Sequence, residues 1–321
     1  MKIGSLFILT LVSVLLFSCR GSSALEKEIS EIQVDFALER FDQIYYETPV
    51  EDFPNLRKEY SIFFPDEFPD SVFVAKLEDP LYRELYVEVQ LRYKNFTEVE
   101  SEIEDLFRHI KYYFPEKQLP KKVTTIISEM DYANKVIYTD SIVLIAIDLY
   151  LGEDHKFYEF PNYFRQTFTR RQILPDMAAA FSETLLNYPN DRTLLAQMIY
   201  FGKQLYLKDL LIPTYTDAEK IGYTEEQWQW CLENEKEMWR YFIEESLLYN
   251  TDSKLLQRFI APAPFSKFYL EIDNESPGRA GVFLGWQIVR SYMNQAEHNL
   301  ETLLNADSKT IFEKSKYKPK R

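Results

Sequence analysis

Cysteine, histidine and glycine are scarce in this chain of 321 residues, which contains two cysteines, three histidines and eight glycines. Cys19 is assigned to lipid attachment below, so Cys231 has no partner for an intramolecular disulfide and packing must hold the fold together. The histidines His109, His155 and His298 are never four residues apart, which excludes the paired-histidine zinc site of many metallopeptidases. A Gly-x-Ser-x-Gly motif, a plausible cysteine and histidine pairing and a phosphate-binding glycine loop are missing as well. The sequence therefore predicts no catalytic residue, no metal site and no cofactor.

Basic residues are also few, because 37 Lys and Arg stand against 51 Asp and Glu and give a formal net charge of −14. The electric field of such a domain repels polyanions, so a nucleic-acid partner is disfavoured. Hydrophobic residues make up 46% of the chain and aromatic residues 16%, which is enough for a large core. Since no internal repeat or low-complexity linker interrupts the chain, we expect one globular domain over residues 32–321.

The N-terminal segment has the order of a cleavable signal peptide: Lys2, an apolar or small stretch from Ile3 to Phe17, and then Ser18 and Cys19. The fifteen residues of that stretch are too few for a stable span, since a helix needs roughly 20 residues to cross a bilayer. The last four residues, ending at Cys19, resemble the lipobox of bacterial lipoproteins, and an ordinary secretory signal with an incidental cysteine is the alternative. We predict a signal peptide over residues 1–18, acylation of Cys19 with fatty acids such as palmitate, and a lipid-anchored spacer over residues 19–31.

The first half of the domain alternates between helical and strand patterns. Apolar residues recur every three to four positions between residues 54 and 114, which predicts three helices. Runs of β-branched residues then predict strands over Val123 to Ser128, Val136 to Thr139 and Ser141 to Asp148. The segment from Val34 to Tyr46 is ambiguous between strand and helix. The predicted fold class is α+β, predominantly α-helical with a small antiparallel β-sheet.

After Gly152 the pattern is helical again. An apolar stripe that includes Leu174 and Phe181 predicts one helix, and Thr193 to Leu211 is apolar nearly all round, as in a buried helix. Thr224 and Gln227 form a candidate capping box for a long helix that reaches Leu248, with Cys231 on its core face. Another helix is predicted over Gly285 to Asn294.

Two segments are candidates for a binding cleft. Three of the eight glycines fall between Gly278 and Gly285, directly before an aromatic and basic helix, and the run from Gly202 to Asp209 places polar groups on an otherwise apolar helix. These groups either line a cleft or belong to the core, with their polar atoms paired. Aromatic stripes at helical spacing are usually core, which favours the second interpretation. The candidate binding residues are Lys203, Tyr206, Arg279, Trp286, Gln287, Arg290 and Tyr292.

Several of these segments carry a family resemblance. The lipobox, residues 145–152, residues 198–206, residues 263–268 and the final run over residues 277–293 together resemble the gliding motility lipoprotein GldB family of Bacteroidota. The resemblance covers nearly the whole chain. It implies a membrane lipoprotein required for surface gliding, a process linked to type IX secretion, and it brings no catalytic residue.

A more distant resemblance connects the same segments to a predicted zinc-dependent protease family. Gly202 matches a glycine of that family, but Phe201 stands where the family has a glutamate ligand. Gly285 and Tyr292 match a later helix, whereas the histidine pair of the metal helix is missing from Leu174 to Asn187. The resemblance implies a degenerate zincin-like scaffold without its metal ligands, and such an analogy by itself says little about function.

We therefore expect a non-enzymatic lipoprotein that acts as a component or assembly factor of the gliding and type IX secretion machinery. Surface-exported lipoproteins of this bacterial group resemble each other in having acids close behind the cysteine, whereas the residues after Cys19 contain no acid before Glu26. The resemblance therefore implies a protein that faces the periplasm and leaves open which membrane carries it. The alternative is an envelope protein that binds or hydrolyses peptidoglycan through a cleft around Lys203, Arg279 and Arg290, with Asp176 or Glu183 as carboxylates. A third hypothesis is a binding module whose acidic surface binds a basic partner.

Overall fold

The structure is a computed structural model that describes residues 24–269, 273–295 and 298–319. The predicted signal peptide and Cys19 lie outside the described residues, so cleavage and lipidation stay predictions. Across the described ranges, no helix combines the length and the apolar character that a membrane span requires.

Most of the described chain is helical, which confirms the predicted fold class. The helices are α1 (Ala24–Ser30), α2 (Phe41–Glu47), α3 (Phe53–Glu59), α4 (Asp70–Glu78), α5 (Pro80–Arg92), α6 (Thr97–Tyr113), α7 (Asn162–Arg165), α8 (Ile173–Glu183), α9 (Leu194–Leu211), α10 (Asp217–Ile221), α11 (Glu225–Glu244), α12 (Lys254–Phe259), α13 (Ala280–Met293), α14 (Leu300–Asn305) and α15 (Ser308–Ser315). The predicted spacer thus contains α1, which packs against α6 with Ile29 buried.

Four short strands form one mixed sheet: β1 (Ala37–Arg40), β2 (Lys122–Ile126), β3 (Val136–Tyr138) and β4 (Ile142–Ala146). Their order is β1-β2-β4-β3, and only the β3 and β4 hairpin is antiparallel, as predicted; β1 with β2 and β2 with β4 are parallel. The sheet is therefore not antiparallel throughout. Five helices separate β1 from β2, and a long connection of this kind is what allows parallel pairing. The ambiguous segment from Val34 to Tyr46 holds both β1 and most of α2.

Four helices, not three, occupy the segment between residues 53 and 113. Asp79 and Pro80 divide α4 from α5, because Pro80 cannot continue a helix and is instead accepted in the first turn of the next one. The Asp79 side chain caps α5 by accepting from the backbone N–H of Leu81 at 2.8 Å.

Helix α9 belongs to both large hydrophobic cores. The first core joins the sheet, α6 and α8 with the end of α9 at Leu207 and Leu211. The second joins the start of α9, including Leu194 and Met198, with α11, α13 and α15. Cys231 is buried in this second core, as predicted. A third, aromatic cluster packs α2, α3, α4 and α5 together beside the first.

Helices α9 and α13 cross at a glycine contact. A Cβ atom on Gly285 would lie 2.0 Å from the Met198 carbonyl oxygen, and one on Gly202 would lie 2.4 Å from the Gly285 carbonyl oxygen. The helix predicted over Gly285 to Asn294 begins earlier than expected, at Ala280, so Gly281 lies within α13 and not before it. These glycines allow helix backbones to approach closely rather than the chain to turn.

Candidate functional site

A cleft of about 330 Å³ lies where α8 and α9 face the turn between α10 and α11. Its lining combines aromatic rings, side-chain amides and charged groups, a mixture typical of small-ligand sites. The aromatic, amide and charged residues of the lining are Tyr132, Tyr163, Phe164, Phe168, Phe201, Tyr223, Gln166, Gln172, Gln204, Gln227, Lys135, Asp176, Lys208, Lys220 and Arg279. We call this the α8–α9 cleft.

The turn between α10 and α11 is fixed by local sequence. Thr216 and Glu219 form a capping box at the start of α10, and Gly222 ends that helix with a left-handed φ of 78°. Thr224 and Gln227 form the predicted capping box of α11, which ends at Glu244 rather than at Leu248. The carbonyl groups at the end of α10 are thereby left free to accept hydrogen bonds from the cleft.

Two basic side chains use these carbonyl groups. Lys208 Nζ donates to the Lys220 carbonyl at 2.9 Å, and Arg279 Nη1 donates to the Ile221 carbonyl at 2.7 Å. The two acceptors are consecutive residues, so the two cationic groups lie near each other. Neither group forms an ion pair with a carboxylate in the described ranges.

Burial shifts both cations toward their neutral forms. It lowers the pKa of Lys208 to about 7, an effect that Asp176 opposes and Arg279 and Lys135 reinforce. Burial also lowers the pKa of Arg279. Arg279 has a left-handed φ of 64° directly before α13.

The carboxylate in the cleft is already engaged. Asp176 on α8 lies with Oδ2 2.5 Å from Lys135 Nζ, and the Tyr150 hydroxyl donates to the same oxygen at 2.9 Å. Burial raises the pKa of the Tyr150 hydroxyl well above its usual range, so it donates as a neutral phenol. Because Asp176 contacts Lys135, no carboxylate of the described residues is left to form an ion pair with Lys208 or Arg279 in the cleft.

The predicted binding residue Lys203 lies elsewhere on α9. It lines a second cleft of about 500 Å³ beside α14 and the start of α15, where its Nζ donates to the carbonyl groups of Leu304 at 3.2 Å and Ala306 at 2.8 Å. Burial lowers the pKa of Lys203 to about 8. Lys203 and Arg279 therefore line different clefts.

Arg290 is held by two carboxylates and an aromatic ring. Its guanidinium contacts Asp209 at 2.7 and 2.8 Å and Asp217 at 2.7 and 2.8 Å, and its Cζ lies 3.7 Å from the centre of the Trp286 ring. The Trp286 Nε1–H donates to Asp209 at 3.0 Å, and Lys220 lies 3.1 Å from the same carboxylate. Burial lowers the pKa of Arg290, but the bonds to Asp217 and Asp209 outweigh it and raise the pKa. This arrangement is an ion-pair network, and Arg290 lines neither cleft.

The other candidate residues lie in the second core. Tyr206 is half-buried, Tyr292 is fully buried and stacked on His298 with a centroid distance of 3.8 Å, and the half-buried Gln287 has an Nε2 without a hydrogen-bond partner among the described residues. The structure therefore does not bring the seven candidate residues together. Of the seven, Arg279 lines the α8–α9 cleft, together with Lys208, Lys135 and Asp176. The sequence had indicated Lys208 only as part of the polar run on α9.

The distant zinc-protease resemblance concerns one residue of this cleft. Phe201, for which that resemblance implies a glutamate in the protease family, lines the α8–α9 cleft together with Asp176 of α8. In the parts of the chain that the structure describes, no group of three or more His, Cys, Asp or Glu side chains is placed to hold a metal ion. The zincin-like ancestry stays a prediction.

Comparison with known proteins gives one family. A family model described as gliding motility protein GldB matches residues 22–319, nearly the whole chain. No curated protein and no solved structure gives a significant match.

Proposed function

The chain belongs to the GldB family of gliding motility proteins, and we propose that it acts there as a lipid-anchored, non-enzymatic component or assembly factor. The family match over residues 22–319 carries this proposal. The predicted signal peptide and Cys19 directly precede the matched region. The predicted lipid would fix the protein to the envelope, and the gliding and type IX secretion machinery supplies its partners.

The position of α1 supports close attachment to the membrane. Only residues 20–23 separate Cys19 from α1. Helix α1 packs against α6, where Glu26 Oε2 lies 3.3 Å from His109 Nε2. A lipid on Cys19 would therefore hold the domain near the bilayer surface, in reach of integral membrane partners.

The hydrogen-bond partners of the charged side chains in the α8–α9 cleft favour ligand binding over catalysis. Lys208 and Arg279 donate to backbone carbonyls, and Asp176 is shared by Lys135 and Tyr150. None of these contacts pairs a nucleophile with a base, which is the arrangement that activates Ser, Cys or Thr in hydrolases.

The test is recovery of partners from the native envelope. We expect the tagged wild-type protein to fractionate with membranes and to carry gliding or type IX secretion proteins through affinity purification, as identified by mass spectrometry. The Cys19→Ala variant should lose the lipid, the membrane association and those partners.

Three results would contradict the proposal. A soluble wild-type protein would refute lipid anchoring. Recovery of cell-wall fragments without protein partners would refute the machinery role. Metal-independent turnover of such fragments that falls in Arg279→Ala would refute the non-enzymatic role.

A further inference from the structure

We propose that the α8–α9 cleft is a binding site for a peptide carboxylate, held by Lys208 and Arg279. This inference rests on the cleft alone and is independent of whether the chain acts in gliding. It assigns to the cleft a ligand class and a pair of binding residues, with the carboxylate placed against the Lys208 ammonium and the Arg279 guanidinium.

The first argument is the uncompensated charge of the two cations. The chain carries 51 acidic residues and a net charge of −14, yet no carboxylate of the described residues pairs with Lys208 or Arg279. Buried charges in proteins are normally paired, because an isolated charge is costly to remove from water. An anionic ligand would supply the missing partner.

The second argument is the number of unused donors. An ammonium group has three N–H donors and a guanidinium has five, and each group gives one hydrogen bond to a backbone carbonyl here. Both acceptors, Lys220 O and Ile221 O, belong to the same helix end, so the remaining donors are anchored close together. Charge-assisted bonds to a two-oxygen acceptor are strong and directional, which suits a carboxylate.

The third argument concerns the charge of the ligand. Asp176 lines the same cleft and would repel a dianion, although Lys135 pairs with it at 2.5 Å. Lys208, with a pKa lowered to about 7, is only partly protonated at neutral pH before a ligand binds. A carboxylate, with a single negative charge, matches this balance better than a phosphate does.

The fourth argument is the nature of the walls. Aromatic rings, including Phe164 and Phe201, provide apolar surface. The amides of Gln166 and Gln227 also line the cleft, and Gln166 Nε2 donates to Gln227 Oε1 at 3.0 Å. Amides both donate and accept, as the peptide backbone requires. A volume of about 330 Å³ lies within the range of small-ligand sites and accommodates a short peptide segment.

Helix α9 offers a matched control for the test. Lys203 and Lys208 are both 8% exposed, both have a lowered pKa, and among the described residues both donate only to backbone carbonyls. Of the two lysines, Lys208 lines this cleft and Lys203 does not. Replacing either lysine by Met removes one buried ammonium group from the same helix. A change specific to Lys208→Met therefore reports the cleft and not the loss of a buried lysine in general.

The experiment is titration calorimetry on the full chain purified in detergent. The probes are Ala-Phe-Ala with a free C-terminal carboxylate, the same peptide with a C-terminal amide, an N-acetylated and amidated Ala-Glu-Ala, and inorganic phosphate. We expect binding of a carboxylate peptide, at least tenfold weaker binding in Lys208→Met, and unchanged binding in Lys203→Met. Arg279→Lys, which keeps the charge but loses the planar guanidinium, should weaken binding less than Lys208→Met does. Circular dichroism confirms that each variant is folded.

The outcomes are decisive in either direction. Binding of the free-carboxylate peptide assigns the site to a chain terminus, and binding of the glutamate peptide assigns it to an acidic side chain; both support a carboxylate site. The proposal is overturned if neither carboxylate peptide binds, if the amide peptide binds equally well, if phosphate binds more tightly, or if Lys203→Met weakens binding as much as Lys208→Met.

Discussion

Lys203 and Lys208 show, at the scale of single residues, how a lysine is buried without an ion pair to any residue that the structure describes. Each ammonium group donates to backbone carbonyls at the end of a neighbouring segment, so its hydrogen-bonding needs are partly met. Burial still penalises the charge and lowers both pKa values, to about 8 and about 7. A lowered lysine pKa makes stability depend on pH at alkaline rather than acidic values.

The pH dependence can be predicted from Lys208. Its pKa is about 7 in the folded chain against an ordinary value of 10.5, so between these values Lys208 binds more protons in the unfolded chain. The contribution of Lys208 to folding stability therefore rises as pH increases from about 7 to 10.5, and its charging penalty is constant below that window. The stability of wild type relative to Lys208→Met should rise when urea unfolding is measured at pH 6, 8 and 9.5. A difference that stays constant over this range would show that folding does not lower the pKa of Lys208.

The Arg290 network gives a second prediction at this scale. In Arg290→Ala, Asp209 and Asp217 lose one of the two cations they share, with Lys220 remaining at 3.1 and 3.8 Å, and Trp286 loses its stacking partner. Removing one member of a buried ion pair costs roughly 3–5 kcal/mol, and we expect about 2 kcal/mol here because the Arg290 side chain is 24% exposed. Chemical denaturation measures the loss.

The matched control is Arg240→Ala on α11, whose ion pair with Glu237 is mostly exposed. Exposed pairs contribute roughly 0–1 kcal/mol, so this variant should be nearly as stable as wild type. Equal losses in the two variants would show that the Arg290 network does not stabilise the fold.

At the scale of elements, the crossing of α9 and α13 depends on glycine. Gly to Ala normally stabilises a helix interior by about 1 kcal/mol, since alanine has the higher helix propensity. In Gly285→Ala the sign should reverse, because the new Cβ would lie 2.0 Å from the Met198 carbonyl oxygen and the two helices would have to separate. We expect a loss of about 2 kcal/mol in unfolding free energy, with Gln287→Ala on the same helix losing less than about 1 kcal/mol. A Gly285→Ala protein as stable as wild type would show that the helices do not approach this closely.

Local sequence signals predicted single elements well. The Thr224 and Gln227 capping box and the apolar helix after Thr193 are confirmed, because caps and periodicity act over a few residues. The parallel pairing of β1 with β2 was not predictable, since these strands lie on either side of five helices. The reason that positions 281 and 285 are glycine was not predictable, because only the distant α12 and α9 show which backbone each glycine approaches.

The candidate site was predictable only in part, for the same reason. The sequence identified Arg279 and Arg290 as candidate binding residues, but their hydrogen-bond partners lie far away in the sequence. Asp209 is 81 residues from Arg290, and Ile221 is 58 residues from Arg279. Because Arg290 is paired with Asp209 and Asp217, it is not available to bind a ligand. The carbonyl groups at the end of α10 hold Arg279 and Lys208 together in the cleft.

At the scale of the whole molecule, α9 connects the two large cores. Its C-terminal residues, such as Leu207, pack with the sheet and α6, and its N-terminal residues, such as Met198, pack with α11 and α13. A continuous helix shared by two cores makes separate unfolding of either core costly, because the other would lose part of its packing surface. The described chain should therefore unfold as one cooperative unit.

Tryptophan fluorescence and circular dichroism can test this cooperativity together. All four tryptophans, at positions 228, 230, 239 and 286, belong to the second core, so their fluorescence reports only that half, while far-ultraviolet circular dichroism reports every helix. Leu106→Ala removes a buried side chain from α6 in the first core and should cost about 2–5 kcal/mol. If α9 couples the cores, this distant change lowers the fluorescence midpoint and the circular dichroism midpoint in urea by the same amount. A fluorescence midpoint that stays at the wild-type value, with a separate early transition in circular dichroism, would mean that the cores unfold independently.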